Sequence, residues 1–234
     1  MSKHAWKIEL IPWDHLSVNH VERMYDQRIA CGWRADEVQS WVKDAKKGGR
    51  IFYWAVLAKD VGDREELLGG HIRENPKEAA PLRDTATEIR LIPRQPTGVE
   101  FTPIGHVALA IHSAEEDGEL GLPSPGTVWV HQLFISSVLQ GGGYGAATMA
   151  QVEAVATREP MNATTMALDT LAKVVETESG DISLQDAGVL VTSKEDWYSR
   201  LGYRTYKLGP GYNYPTENGK HIQLKVAYMR KDIG

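Results

Sequence analysis

Cysteine is nearly absent from the chain: among 234 residues only Cys31 carries a thiol. No internal disulfide can form, and a reducing compartment is the natural home of such a chain. Cys31 itself reads as a small buried filler rather than a nucleophile. Long apolar runs are missing as well. None approaches the ~20 residues of a membrane span, and the start, "MSKHAWKIELIPW", lacks the apolar core of a signal peptide. There is no excess of cations: 26 Lys and Arg against 31 Asp and Glu give a net charge of -5. That balance disfavours a nucleic-acid partner, because phosphate contacts need clustered Lys and Arg. The histidines show no paired ligand spacing, so no metal is expected. No internal repeat and no low-complexity linker divides the chain. These absences point to a cytoplasmic protein with neither membrane nor nucleic acid as partner. One mixed α/β domain over residues 1–234, with loop insertions, is the simplest organisation.

The apolar periodicity gives a sequence of elements. "WKIELIPW" (Trp6 to Trp13) alternates as a strand. Asp14 or Ser17 can cap a helix after it, and Val21, Met24, Tyr25 and Ile29 recur at helical spacing until "CGW" breaks the pattern. Val38, Trp41, Val42 and Ala45 mark a second amphipathic helix, ended by Gly48 and Gly49. "IFYWAVLAK" (Ile51 to Lys59) is a strand. "ELLGGHIR" (Glu66 to Arg73) and "IGHVALAIH" (Ile104 to His112) also read as strands, separated by a Pro-punctuated excursion from Asn75 to Pro103. Ser113 to Gly126 reads as an acidic, solvated loop. "TVWVHQLFIS" (Thr127 to Ser136) and "TTMALDTL" (Thr164 to Leu171) are strands, and Ala172 to Leu190 is a further insertion. "TSKEDWYSRLGYRTYKL" reads as a capped helix, a stop at Gly202 and a strand. In the last strand Ile222, Leu224, Val226 and Tyr228 share a face, with a turn at Asn218-Gly219 before it.

The densest signal is "LFISSVLQGGGYGAATMAQVEAVA", Leu133 to Ala156, where Gly141, Gly142 and Gly143 stand between a strand and a helix. Three consecutive glycines are costly to order. A strand, a glycine turn and a helix start together make an anion site: the first helical N–H groups have no internal partner, the helix dipole adds positive potential, and glycine lets a phosphate approach the backbone. A flexible surface turn is the plain alternative. A P-loop is excluded, because "GYGAAT" has no lysine. A dinucleotide site is a genuine rival, since Gly141, Gly143 and Ala146 satisfy G-x-G-x-x-A and Asp169 follows at a suitable distance. Against it, the strand ends near Ser136, several residues before the first glycine. More than half the chain would also precede the first βαβ unit.

Gln140-Gly141-Gly142-Gly143-Tyr144-Gly145 matches Q/R-x-x-G-x-G/A, and with it the region resembles the GNAT superfamily of acyl-CoA N-acyltransferases. "WYSRLGY", Trp197 to Tyr203, is similar to that family's later helix-to-strand motif, and the resemblance runs from about Thr127 to Leu208. It implies a GNAT fold: a central mixed, mostly antiparallel β-sheet flanked by helices. It further implies acetyl-CoA as co-substrate, held by Gln140, Gly141, Gly142, Gly143, Tyr144, Gly145 and Ala146. Backbone N–H groups of Leu133, Phe134 and Ile135 would meet the thioester oxygen. The sequence departs from the family early in the later helix, where "VTSKED" lacks an asparagine often found there.

The implied reaction is direct acetyl transfer to an amine, without a covalent enzyme intermediate. Tyr198 takes the place of the family's tyrosine near the cofactor sulfur, as general acid, or else is a packing tyrosine beside Trp197 and Leu201. His131 resembles one of the paired histidines of arylalkylamine N-acetyltransferases and suits a base; Trp129 stands where the other would be. A hydrogen-bonded core histidine is the alternative, and His106 and His112 are weaker candidates. Trp33 and Trp129, with Trp54 nearby, suggest aromatic walls for a small primary amine, arylalkylamines first and amino acids or polyamines next. A protein or peptide N-acetyltransferase, or a degenerate CoA-binding sensor or interaction module, are the alternatives.

Overall fold

The computed structural model describes residues 6–177, 180–189, 191–215 and 221–234. The expected turn at Asn218-Gly219 and the far end of the 172–190 insertion, Leu190, lie outside these residues. Along the chain the principal elements are β1 (Ile8–Pro12), α1 (Val18–Cys31), α2 (Val38–Ala45), β2 (Arg50–Leu57), α3 (Arg64–Glu74) and β3 (Gly105–Ala110). There follow α4 (Ala114–Glu119), β4 (Thr127–Ile135), α5 (Tyr144–Ala156), β5 (Thr165–Leu171), β6 (Val174–Thr177), β7 (Gly180–Ser183), α6 (Glu195–Arg200), β8 (Arg204–Pro215) and β9 (His221–Asp232). Two compact units form, one from residues 1–112 and 130–162, the other from 113–129 and 163–234.

In the first unit β2 pairs antiparallel with β1 (Ile8 opposite Leu57) and with β3 (Arg50 opposite Ala110). After Arg50 every residue of β2 is buried, as expected of a strand covered on both faces. Phe52, Trp54 and Val56 point to one face, where they meet Met24 of α1, Val38 and Trp41 of α2, and Trp13. Ala55 and Leu57 point to the other, against Ile8, Leu68 of α3, Ile135 and Tyr144 of α5. Helices therefore cover this sheet on both sides.

The stretch from Glu66 to Arg73, expected as a strand, lies within helix α3. Its apolar residues are too few to tell the two states apart by period. The charges do tell them apart: Glu65 and Glu66 occupy the first turn, and His71 and Arg73 the last, which complements the helix dipole. Helix α1 forms where its spacing predicted, but a different face is turned inward. His20, Arg23, Met24, Gln27 and Arg28 are buried, while Tyr25 and Ile29 remain 48% and 57% exposed. The inward polar groups are paired. Arg23 donates to Glu78, Gln27 donates from Nε2 to Glu78 Oε1 at 2.8 Å, and the Gln27 Oε1 meets His106 Nδ1 at 2.7 Å.

The excursion from Asn75 to Pro103 is pinned to this unit. Leu82–Arg83 pairs with Glu100–Phe101, and Leu82 and Phe101 join the core. Asp84 accepts two bonds from Arg94, at 2.6 and 2.8 Å, and two from Thr97.

In the second unit β9 lies between β5 and β8, antiparallel to both. Leu224 of β9 is buried as expected, and it packs on Val175, Leu184 and Val189 of the 172–190 insertion, which carries the β6–β7 hairpin. Part of the acidic loop is helix α4, closed by a capping box between Ser113 and Glu116.

Candidate functional site

The glycine stretch is built from β4 outward. β4 ends at Ile135, and the N–H of Ser136 bonds to the Ile104 carbonyl at 2.9 Å. His71 holds the Ser136 hydroxyl, its Nδ1 lying 2.9 Å from Oγ while its Nε2 meets the Pro103 carbonyl. The chain turns through residues 137–139, and the Gln140 side chain reaches back to donate to the Ile135 carbonyl at 2.9 Å. Gly141 and Gly143 then adopt left-handed backbone, φ +86° and +82°, which favours glycine. Gly142 has a separate reason: a Cβ there would stand 2.5 Å from the Tyr144 ring.

Gly143 is the N-cap of α5 and contributes no side-chain bond. The N–H groups of Tyr144, Gly145 and Ala146 therefore open the helix without a side-chain cap. Gly141 to Gly143 are exposed, and a Cβ on Gly141 would meet nothing within 4 Å. Space, free donors and dipole thus coincide, a combination that fits a phosphate group. Lys7 adds a cation. Its Nζ donates to the Gly142 carbonyl at 3.2 Å and lies 5.6 Å from the centre of the Tyr144 ring. No spacing rule connects residues 7 and 142, so sequence reasoning missed Lys7.

The strand before the loop carries Leu133, Phe134 and Ile135 past β3 at close range. A Cβ on Gly105 would lie 2.1 Å from the Phe134 carbonyl oxygen, so only glycine permits this approach. Gln132 sits at φ +44° inside β4, a conformation rare for a residue with a side chain.

His131 is partly buried just before that irregularity, and the second imidazole beside it is His112, after β3. Their Nε2 atoms are 3.4 Å apart and the rings stack at 22°, with centroids 5.6 Å apart. Burial pushes the His131 pKa down to about 3, helped by Arg50, His112 and Arg34. His131 is therefore neutral at pH 7, and the same depression makes its ring a weak base in the free protein. His106 is fully buried between Gln27 and Arg28, its pKa lowered first by burial and then by Arg28. Trp33 is 51% exposed at the end of α1. Cys31, expected to be buried, is only partly so, and burial raises its thiol pKa.

The second unit holds Tyr198 and Trp129. Tyr198 packs edge-on against Trp197 and Tyr203. Burial, then Asp169, pushes its phenol up to about 12, so the hydroxyl stays protonated. Trp129 is 1% exposed, donates from Nε1 to Asp117 at 2.9 Å, and meets Tyr228 edge-on. Trp54 is wholly buried and bonds to His20. Both indoles have core environments, which leaves Trp33 as the exposed aromatic of the three. Among the described residues no group of three or more His, Cys, Asp or Glu is placed to hold a metal ion.

No family model matches the chain, and no curated protein is significantly similar in sequence. Solved structures are similar in fold. An aminoglycoside 6'-N-acetyltransferase complexed with coenzyme A aligns over 97% of this chain and 97% of its own, with 13% identity and a TM-score of 0.50. A protein from Desulfovibrio desulfuricans assigned to the GNAT family aligns over 97% and 99%, with 10% identity and a TM-score of 0.52. The chain has the GNAT fold of acyl-CoA N-acyltransferases, a mixed sheet flanked by helices.

Proposed function

We propose that the protein is an acyl-CoA-dependent N-acyltransferase that moves an acetyl group to the primary amine of a small molecule. The observation that carries this reading is the uncapped first turn of α5, entered through two left-handed glycines and tied to β4 by Gln140. The GNAT fold and the coenzyme A held by the aminoglycoside acetyltransferase of similar fold support it.

In this reading the N–H groups of Gly143 to Ala146 and the Lys7 ammonium hold the pyrophosphate. When bound, acyl-CoA supplies an acyl group activated as a thioester. The reaction replaces a C–S bond by a C–N bond. The acceptor's ammonium loses two protons, one before attack and one as the C–N bond forms; one reaches the departing sulfur and the other is released to solvent, so an amide and a free thiol are the products. Neutral His131 accepts the amine proton, directly or through water. Backbone N–H from the strand segment Leu133, Phe134 and Ile135 stabilises the oxyanion. Tyr198, assigned by its place in the Trp197–Tyr203 motif and by its retained proton, protonates the thiolate.

Calorimetric titration separates this from the dinucleotide alternative. Acetyl-CoA should bind, NAD should not, and Gly145→Val should abolish the signal. Gly145 lies within the helix and outside the left-handed positions, so the variant should keep its backbone. Binding of NAD alone, or normal acetyl-CoA binding by Gly145→Val, would overturn the reading.

A further inference from the structure

We propose that the outer face of α1, with the hollow beside it, is a docking site for an amphipathic helix of another protein, one whose apolar residues are flanked by lysine or arginine. The site stands apart from the acyl-transfer chemistry.

Helix α1 reverses the usual amphipathic arrangement. Among its buried residues His20, Arg23, Gln27 and Arg28 are polar, and only Met24 is apolar. The other large apolar residues look outward. Val18, Tyr25 and Ile29 are 68%, 48% and 57% exposed, and Leu16, just before the helix, is exposed as well. Val18, Val21, Tyr25 and Ile29 follow one another at helical spacing, which sets them in one stripe along the helix. The inward polar groups hold this orientation. Arg23 is bonded to Glu78, Gln27 to Glu78 and His106, Arg28 to the Trp33 carbonyl, and His20 to the Trp54 indole. The apolar stripe is therefore kept in solvent by contacts on the opposite face. A contiguous apolar surface rimmed by polar residues marks an interaction site.

Beside the stripe, between α1 and the turn from Ala35 into α2, lies a hollow of about 430 Å³. Val21, Tyr25 and Val38 form its apolar wall, and Glu22, Asp26, Asp36 and Lys77 supply its charges. Lys77 is bonded to Asp26 at 2.6 Å. Among the described residues Glu22 and Asp36 have no cation partner, so the hollow carries a surplus of negative charge.

This combination defines the partner. A lysine or arginine side chain fits the hollow: its alkyl stem would lie along Val21 and Val38, and its charge would meet Glu22 and Asp36 beside the Tyr25 ring. Apolar residues of the partner at i, i+3 and i+7 would cover Val18, Tyr25 and Ile29, in the manner of an amphipathic helix in a groove. Helix α1 has 14 residues, a length of about 21 Å, which offers room for about four turns of a partner helix. Charge disfavours the other occupants. A second copy packed on α1 about a twofold axis would bring two acidic hollows together, and an anionic membrane surface would meet the same carboxylates.

The test is fluorescence anisotropy with two labelled synthetic helical peptides. Both carry leucine at i, i+3 and i+7; the remaining positions are lysine in one and glutamate in the other. The lysine peptide should bind saturably, and the glutamate peptide at least about tenfold more weakly. Ile29→Ser and Glu22→Gln, both at exposed side chains, should each weaken the lysine peptide by about fivefold or more, the effect of a residue that matters to an interface. Melting temperature should be unchanged, and Val18→Ser takes the place of Ile29→Ser if that variant does not fold. Glu115→Gln, an equal loss of charge at an exposed position of α4, should leave binding as it is. Absence of saturable binding overturns the proposal, as does wild-type affinity in Ile29→Ser. Equal weakening by Glu115→Gln also overturns it, because bulk charge then explains the binding. Self-association of the wild type, or binding to anionic vesicles, that Ile29→Ser abolishes would assign the stripe to a second copy or to a membrane and overturn it as well.

Discussion

The Nε2 atoms of His131 and His112 lie 3.4 Å apart, on rings stacked at 22°. Both nitrogens cannot carry protons at that spacing: one donates, the other accepts. The doubly protonated pair is thereby disfavoured, and the Arg50 and Arg34 charges lower the His131 pKa further.

The pH profile follows. With the His131 pKa held near 3 in the free protein, kcat/KM should rise with pH as the amine loses its proton, with no inflection near 6.5. His131→Ala should lower the rate by about 10²–10⁴ at every pH. An inflection near 6.5 that vanishes in His131→Ala would show that the ring titrates as an ordinary histidine before the acceptor binds.

Acid stability is governed by the same residue type. His20, His71, His106 and His131 all have pKa values lowered by burial. His20 shows why. Its Nδ1 accepts from the Asp14 N–H and the Trp54 indole, and its Nε2 meets the Arg83 carbonyl. A proton on Nδ1 would destroy both accepted bonds. Below about pH 6.5 the unfolded chain binds protons that the folded chain refuses, so stability falls with falling pH, by up to ~1.4 kcal/mol per pH unit per histidine. Urea midpoints should be flat above pH 7 and drop between pH 6.5 and 4.5, less steeply in His20→Asn. A midpoint unchanged down to pH 4.5 would contradict this.

Gly105→Ala should be severe for so small a change. The new methyl would stand 2.1 Å from the Phe134 oxygen, so β3 and β4 must separate. Overpacking of this kind costs about 1–3 kcal/mol. The melting temperature should fall and turnover should fall further than the melt explains, because the displaced strand carries the proposed oxyanion donors. A variant with wild-type melting and turnover would show that the strands yield freely.

Tyr198→Phe removes a hydroxyl from a packed ring. Turnover should drop by about 10²–10⁴, with acetyl-CoA affinity and melting temperature nearly unchanged. Wild-type turnover would return Tyr198 to a packing role.

What the sequence made legible was local. The glycine loop, the α5 start and the "WYSRLGY" helix-to-strand motif are contiguous patterns, and each lies where its residues predicted. The capping box at Ser113 and Glu116 was equally readable, but the acidic run hid it. The inward face of α1 was not readable. Arg23, Gln27 and Arg28 look like solvent residues until Glu78 and His106, more than 50 positions away, arrive to pair with them. Lys7 reaches the glycine loop, and His112, only a weaker candidate in the sequence, comes beside His131, for the same reason: the fold brings them there, and no periodicity encodes strand order.

The measurement that bears most directly on the account is thiol release from acetyl-CoA, followed over a panel of small primary amines, amino acids and lysine or N-terminal peptides. The account predicts amine-dependent release with small molecules and little with peptides. Release with peptides alone would point to a protein acetyltransferase. No release with any acceptor, from protein that binds acetyl-CoA, would contradict catalysis and leave a CoA-binding module.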